Sequence, residues 1–249
     1  MRAVCLAGGY GKRMRPLTHY IAKPMLPVGC TPFLQFAMDE LATLTDAIGT
    51  ELEVVIGSEH LGWQIREWFG SRWKGLHLTH VSTPAPEGTG KRLGVIHQQL
   101  RFDDDTLVWL GDTFFNADTF RRMIVADGDA VLGITQHGPY HADHGHVWIE
   151  TDYEPTQYPG GQHVWKCWGG HSDWADAGIY RLSPDLLDRI ARGGGPNCQA
   201  TGEHRILPTV QDAMGEATVR GVDIGEWIHL GDEPTPEENY LNVQGALLQ

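Results

Sequence analysis

Apolar residues fall along this chain in two rhythms: short unbroken runs, and runs at helical spacing. Residues 2–7 form a short apolar run that stops at Gly8-Gly9. That pattern predicts a buried strand leading directly into a glycine turn. Over residues 32–44, Phe33, Phe36, Ala37, Leu41 and Leu44 recur at helical spacing behind Pro32. Proline suits a first helical turn, so a helix is predicted there. Further strands are predicted over 52–56, 76–81, 106–110, 130–135 and 177–181. Further helices are predicted over 62–69, 93–100, 118–126, 184–192 and 203–214, the last with a start or kink at Pro208.

Such alternation predicts an α/β fold: a Rossmann-like, doubly wound sheet, mixed but mostly parallel. In these sheets ligands sit beyond the carboxyl ends of the strands. Gly8 and Asp112 each follow a predicted strand and should lie on that edge. Residues 136–175 break the rhythm. Histidines (137, 141, 144, 146, 163, 171) and glycines are dense there, with weak periodicity. The segment reads as hairpins and loops, a β-rich lid forming a substrate wall. Its His141-Ala142-Asp143-His144-Gly145-His146 spacing is not a common zinc signature, and a polar loop is the simpler reading. At 249 residues, with no repeat and no long linker, a single domain over 1–249 is expected.

Composition narrows the partners. Hydrophobic residues make up 41% and charged residues 20%, ordinary for a soluble globular protein. The formal charge is 19 − 32 = −13. A body this acidic repels nucleic acid and anionic membranes, so neither is an expected partner. An anionic substrate then needs a local basic pocket or a divalent metal. Cys5, Cys30, Cys167 and Cys198 are scattered, without a CxxC pair. The opening apolar run is too short for a signal peptide. No segment approaches the ~20 apolar residues of a membrane span. A cytoplasmic location is the resulting expectation.

A strand followed by clustered glycines can bring backbone N–H groups close to phosphates. Lys12-Arg13 and then Lys23 follow Gly8-Gly9-Tyr10-Gly11. Arg13 can clamp phosphate oxygens bidentately, and Lys23 can act as a point charge. Neither the GxxxxGK[ST] nor the GxGxxG pattern is present, so the glycines alone are equally a tight structural turn.

The longer string carries more. Leu6-Ala7-Gly8-Gly9-Tyr10-Gly11-Lys12-Arg13-Met14-Arg15-Pro16-Leu17-Thr18, followed by Lys23-Pro24-Met25-Leu26-Pro27-Val28, resembles the signature of the sugar-1-phosphate nucleotidylyltransferases. Four further segments resemble that family's motifs in order: Gly88-Thr89-Gly90, Gly111-Asp112-Thr113, Ala175-Asp176-Ala177-Gly178-Ile179-Tyr180, and Trp227-Ile228-His229-Leu230-Gly231. The resemblance implies in-line attack of a sugar 1-phosphate on the α-phosphorus of an NTP, releasing pyrophosphate. It implies catalytic roles for Arg13, Lys23 and Asp112. It implies nucleotide contacts from Leu6, Ala7, Gly8, Gly9, Gly11, Lys12, Thr83, Gly88, Thr89 and Gly111, and acceptor contacts from Gly145, Lys166 and Asp176. Asp112 and His229 would hold Mg²⁺, with Mn²⁺ or Co²⁺ as alternatives. Segments 88–90 and 111–115 resemble the subgroup acting on heptose or hexose 1-phosphates, with GTP favoured over UTP, CTP or dTTP. A homodimer is left open.

Departures from the pattern keep alternatives open. His229 stands where the family carries Asp, and imidazole suits Mn²⁺, Co²⁺ or Zn²⁺ better than Mg²⁺. Either His229 reaches the metal, or Asp232 takes its place, or Asp112 holds the metal alone. Asp176 replaces an Asn, losing a donor. Trp165 replaces the Glu that precedes the family's lysine, and Ser82-Thr83 occupies the neighbourhood of its Gln. The competing functions are a cytidylyltransferase for phosphocholine or a phosphonate, and a non-catalytic nucleotide-sugar-binding regulatory subunit.

Overall fold

The apolar opening run forms β1 (Arg2–Leu6), buried from Ala3 onward. It lies inside the sheet, where a strand must be apolar on both faces. The structure, a computed structural model, describes residues 2–49, 51–83, 88–136, 146–149, 161–167, 172–197, 202–225, 228–231 and 235–248. A small hairpin of β2 (Pro27–Val28) and β3 (Thr31–Pro32) precedes α1 (Phe33–Ile48). Then follow β4 (Glu53–Ser58), α2 (Gly62–Phe69), β5 (Arg72–Trp73), β6 (Leu76–Ser82), α3 (Thr89–Leu100) and β7 (Thr106–Leu110). Next come β8 (Thr113–Phe114), α4 (Ala117–Val125), β9 (Ala130–Thr135), β10 (His146–Ile149), β11 (Gln162–Lys166) and β12 (Trp174–Leu182). The chain continues through α5 (Pro184–Ala191), α6 (Ile206–Ala213), β13 (Val219–Asp223), β14 (Ile228–His229) and α7 (Pro236–Leu247).

Ten strands make one sheet in the order β10-β11-β13-β9-β12-β7-β1-β4-β6-β5. The run β7-β1-β4-β6 is parallel, and β13 joins β9 in parallel. β12 runs antiparallel between β7 and β9. This is the mixed, mostly parallel α/β sheet that the alternation predicts. One apolar layer joins α1, α2 and α4 to the sheet through Leu34, Leu41, Ile65 and Phe120. A second joins α3, α5 and α6 through Leu93, Leu187 and Val210. A third, smaller cluster of Met14, Leu26, Phe33, Leu230 and Val243 sits under the loops that follow β1. Among the described residues, no helix is long and apolar enough to cross a membrane.

Several boundaries differ from the sequence expectation. α3 begins at Thr89, four residues before the first apolar position at Leu93. The amides of Gly90 and Lys91 donate to the His204 carbonyl (3.0 and 3.3 Å), so a tertiary contact caps a polar first turn. For the same reason residues 203–205 are not helical. α6 starts at Ile206, and Pro208 is its third residue, neither start nor kink. A missing N–H costs no bond in a first turn. The strand expected over 177–181 extends to nine residues as β12. β13 and α7 have no counterpart in the sequence reading. Arg220 and Gly221 interrupt the apolar run of β13, and α7 buries only Val243. Of the expected 136–175 lid, residues 137–145, 150–160 and 168–171 lie outside the described residues.

Candidate active site

Two neighbouring parallel strands, β1 and β7, end at the same edge. One delivers Gly8 and the other Gly111-Asp112. Pairing continues one residue past each strand: Gly111 N–H donates to the Leu6 carbonyl (3.0 Å), and Ala7 N–H to that of Gly57 (2.8 Å). Leu6 and Ala7 are buried, so they shape the site through their backbone.

Beyond Ala7 the amides stop pairing. Those of Gly8, Gly9, Tyr10 and Gly11 donate no hydrogen bond to any described residue. Successive unpaired N–H groups on a turn form an anion nest. The turn closes at Gly11, with φ 58°. Its carbonyl accepts from the Met14 amide (2.9 Å) and the Thr18 hydroxyl (2.7 Å). A Cβ there would stand 2.9 Å from Thr18 Cγ2, so both conformation and space require glycine. Lys12 and Arg13 follow on an exposed 3₁₀ turn, Lys12 with its ammonium 5.4 Å from the Tyr10 ring centroid.

Lys23 opens a second 3₁₀ turn, Lys23–Met25, anchored by buried Pro24 and Met25. Its Nζ lies 2.7 Å from Asp112 Oδ2, the two side chains 13% and 25% exposed. Asp112 is followed by β8, and the cap of α4 is Asn116, so Asp112 does not serve as a helix cap. β8 pairs with β14, which sets His229 opposite Thr113. Leu230 N–H donates to the Asp112 carbonyl (2.9 Å), and His229 Nε2 stands 3.7 Å from Asp112 Oδ2. Burial opposes ionisation of Asp112. The Lys23 ammonium and His229 outweigh it and hold the carboxyl well below the usual carboxylate range. Burial, with help from Lys23 and Arg13, holds the His229 imidazole below its ordinary value against the pull of Asp112. A neutral imidazole beside an ionised carboxylate is therefore the resting state at neutral pH.

At the edge beyond β6, Gly88 (φ 102°) packs so tightly that a Cβ would stand 2.2 Å from the His204 carbonyl oxygen. Thr89 begins α3. Thr83 is fully buried, and its hydroxyl has no partner among the described residues. On β12, Asp176 Oδ1 accepts from the Gly178 amide (3.0 Å) and Oδ2 from the Tyr180 hydroxyl (2.5 Å). Burial pushes the Asp176 carboxyl up to about 6, although Tyr180, the Gly178 amide and Arg205 all pull it down. Lys166 on β11 rests its ammonium 4.4 Å from the Trp148 ring centroid. Gly145 and Asp232 lie outside the described residues.

Sequence reasoning missed Arg92. It is 8% exposed, and its Nη2 donates to the Gly8 carbonyl at 3.1 Å. The signal available was Gly88-Thr89-Gly90-Lys91-Arg92 directly before an apolar period, a polar first turn that the apolar spacing leaves out of the predicted 93–100 helix.

Asp112 and His229 stand side by side at this edge; among the described residues no group of three or more His, Cys, Asp or Glu could hold a metal ion. One or two protein ligands suffice where substrate phosphates and water complete the shell, as is usual for Mg²⁺ on nucleotides. The donor set fits such a cation, and the imidazole favours Mn²⁺ or Co²⁺ alongside it.

Clustered glycine amides and an ionised carboxylate thus lie at the carboxyl edge of a mixed α/β sheet. The chain belongs to the nucleotidyl transferase family, whose model matches residues 2–233. It is 30% identical over 243 residues to mannose-1-phosphate guanylyltransferase of Mycobacterium tuberculosis, covering 95% of this chain and 62% of that one. It is 33% identical over 192 residues to D-glycero-alpha-D-manno-heptose 1-phosphate guanylyltransferase of Campylobacter jejuni, covering 77% and 80%. The chain thus spans less than two thirds of the first relative's length. The resemblance to sugar-1-phosphate nucleotidylyltransferases is borne out by these relatives. In fold it matches a crystal structure of UDP-glucose pyrophosphorylase complexed with UDP-glucose, with a TM-score of 0.78 over 99% of this chain and 98% of that one, at 16% identity.

Proposed function

We propose that this protein condenses an NTP, GTP in first place, with a sugar 1-phosphate to give an NDP-sugar and pyrophosphate. One observation carries the reading: the amides of Gly8 to Gly11, unpaired among the described residues, follow β1 at the same sheet edge where β7 delivers Asp112 and its Lys23 partner. The two guanylyltransferase relatives support GTP and a sugar 1-phosphate. They do not favour a phosphocholine or phosphonate cytidylyltransferase, or a regulatory subunit.

An oxygen of the acceptor phosphate attacks the α-phosphorus, the bond to the bridging oxygen breaks, and pyrophosphate departs. Such a transfer needs positioning and charge neutralisation more than acid–base chemistry. The loop amides receive phosphate oxygens. Arg13 follows the nest on an exposed turn, placed to neutralise the leaving pyrophosphate. Lys23 is held by Asp112 at the junction of β1 and β7, where it meets the α-phosphate and the incoming phosphate. Gly88 and Thr89 face the base, and Asp176 and Lys166 face the acceptor. Asp112, with His229, would hold a divalent cation that neutralises charge on the phosphate oxygens when bound.

Pyrophosphate release, measured with GTP, UTP, CTP and dTTP against a panel of sugar 1-phosphates in Mg²⁺ or Mn²⁺, tests this. Turnover with at least one pairing, GTP foremost, is expected. Retained nucleotide binding without turnover in any pairing would overturn it.

A further inference from the structure

A cation is buried beneath the glycine loop. Arg92 sits in the first turn of α3, 8% exposed, with its Nη2 bonded to the Gly8 carbonyl at 3.1 Å. Its Nε is buried without a partner among the described residues. The guanidinium packs closely on Gly8: a Cβ on Gly8 would stand 3.0 Å from both Arg92 Cζ and Nε, and 3.1 Å from the Glu59 amide nitrogen. Burial lowers the Arg92 guanidinium from its ordinary value, while Asp112, Glu203 and Glu59 pull it back up.

A trans peptide points its C=O and N–H in opposite directions. Because Arg92 holds the Gly8 carbonyl inward, the Gly9 N–H of the same peptide must point outward. Gly9 is exposed, and nothing stands within 4 Å of its Cβ position. The outward N–H makes no hydrogen bond to any described residue, like the amides of Gly8 and Tyr10 on either side. A buried charged side chain with one bond to a loop carbonyl and one idle donor is costly for stability alone. Its placement is explained by what it does to the loop.

We propose that Arg92 is a positioning residue for the triphosphate, fixing the Gly8–Gly9 peptide so that its amide faces the phosphates and placing a positive charge under the nest. This rests on the reading of residues 8–11 as the phosphate loop. Gly8 is then required for space, because any side chain there displaces the guanidinium that orients the peptide.

Calorimetric titration tests this with three probes: the NTP that wild type turns over fastest, its parent nucleoside, and magnesium pyrophosphate. Arg92→Met keeps volume and removes charge and donors. It should weaken NTP and pyrophosphate by about 10- to 100-fold, the range for a hydrogen bond to a charged group. Nucleoside affinity should stay within about twofold of wild type. Arg92→Lys, which keeps the charge, should recover part of the loss. Gly8→Ala should lower the NTP-to-nucleoside affinity ratio in wild type, and by a smaller factor in the Arg92→Met background, since both changes disturb one contact. Equal losses for NTP and nucleoside, or an unchanged ratio in folded Arg92→Met, would overturn the proposal. If Arg92→Met does not fold, the ratio in Gly8→Ala and Arg92→Lys decides in the same way. Failure of wild type itself to bind any NTP or pyrophosphate would instead refute the phosphate-loop reading.

Discussion

Single side chains carry the charge arrangement of the site. Asp112 is ionised because Lys23 and His229 outweigh its burial, so it is available as a carboxylate at any physiological pH. Arg13→Ala and Asp112→Ala should each lower turnover by at least about 100-fold, a typical loss when transition-state charge stabilisation is removed. Near-normal pyrophosphate release in both folded variants would refute their roles. His229→Asp exchanges imidazole for oxygen and should shift metal preference toward Mg²⁺. An identical Mg²⁺/Mn²⁺ activity ratio in that variant would show that His229 is not a ligand. Asp176 differs from Asp112, because burial raises its carboxyl from 3.8 to about 6. The folded state then binds this proton more tightly than the unfolded chain. Stability from this group is complete below about pH 4 and is lost as pH rises through about 6. A shift of that size is worth at most about 3 kcal/mol. The melting-temperature difference between wild type and Asp176→Asn should therefore fall by several degrees from pH 4 to pH 7. A difference that does not change with pH would contradict this account of Asp176.

Elements place those side chains, and here the sequence was read unevenly. The β1 and β7 ends, with Gly8 and Asp112 on one edge, follow from apolar runs stopped by glycine. The first turn of α3 did not, because its cap is the His204 carbonyl, remote in sequence. Arg92 was hidden for that reason. Nor was α7, whose one buried residue gives almost no apolar period. Yet α7 holds the site together: Asn239 receives the Gly231 amide at 2.8 Å and donates to the His229 carbonyl at 3.2 Å, and Tyr240 donates to Pro27. It thus ties β14, which carries His229, to β2, just after the Lys23 turn. Gly88→Ala tests the α3 cap. Its Cβ would meet the His204 carbonyl oxygen at 2.2 Å, in left-handed backbone. A loss of about 1–3 kcal/mol in urea unfolding is expected. An unchanged unfolding midpoint would mean that the turn relaxes without cost.

At the scale of the whole molecule, the formal charge of −13 sets the problem and the sheet edge solves it. An acidic body admits a triphosphate only where backbone dipoles and a few cations converge; Arg13 follows the glycine loop in sequence, buried Arg92 bonds its first carbonyl, and Lys23 pairs with Asp112 at the same edge. The doubly wound architecture was legible because strand and helix periods alternate cleanly up to Thr135. The acceptor side was not, since most of 136–175 has no period to read. Ligands that bind the folded state raise its melting temperature by mass action, so NTPs should stabilise it and nucleosides much less. The central claim is that the nucleotide is attacked at its α-phosphorus. The direct measurement supplies GTP labelled at the α-phosphate together with the preferred sugar 1-phosphate, and follows the label. Label is expected in a sugar nucleotide, with unlabelled pyrophosphate released; a labelled nucleoside diphosphate with free orthophosphate, the products of attack at the γ-phosphorus, would contradict it.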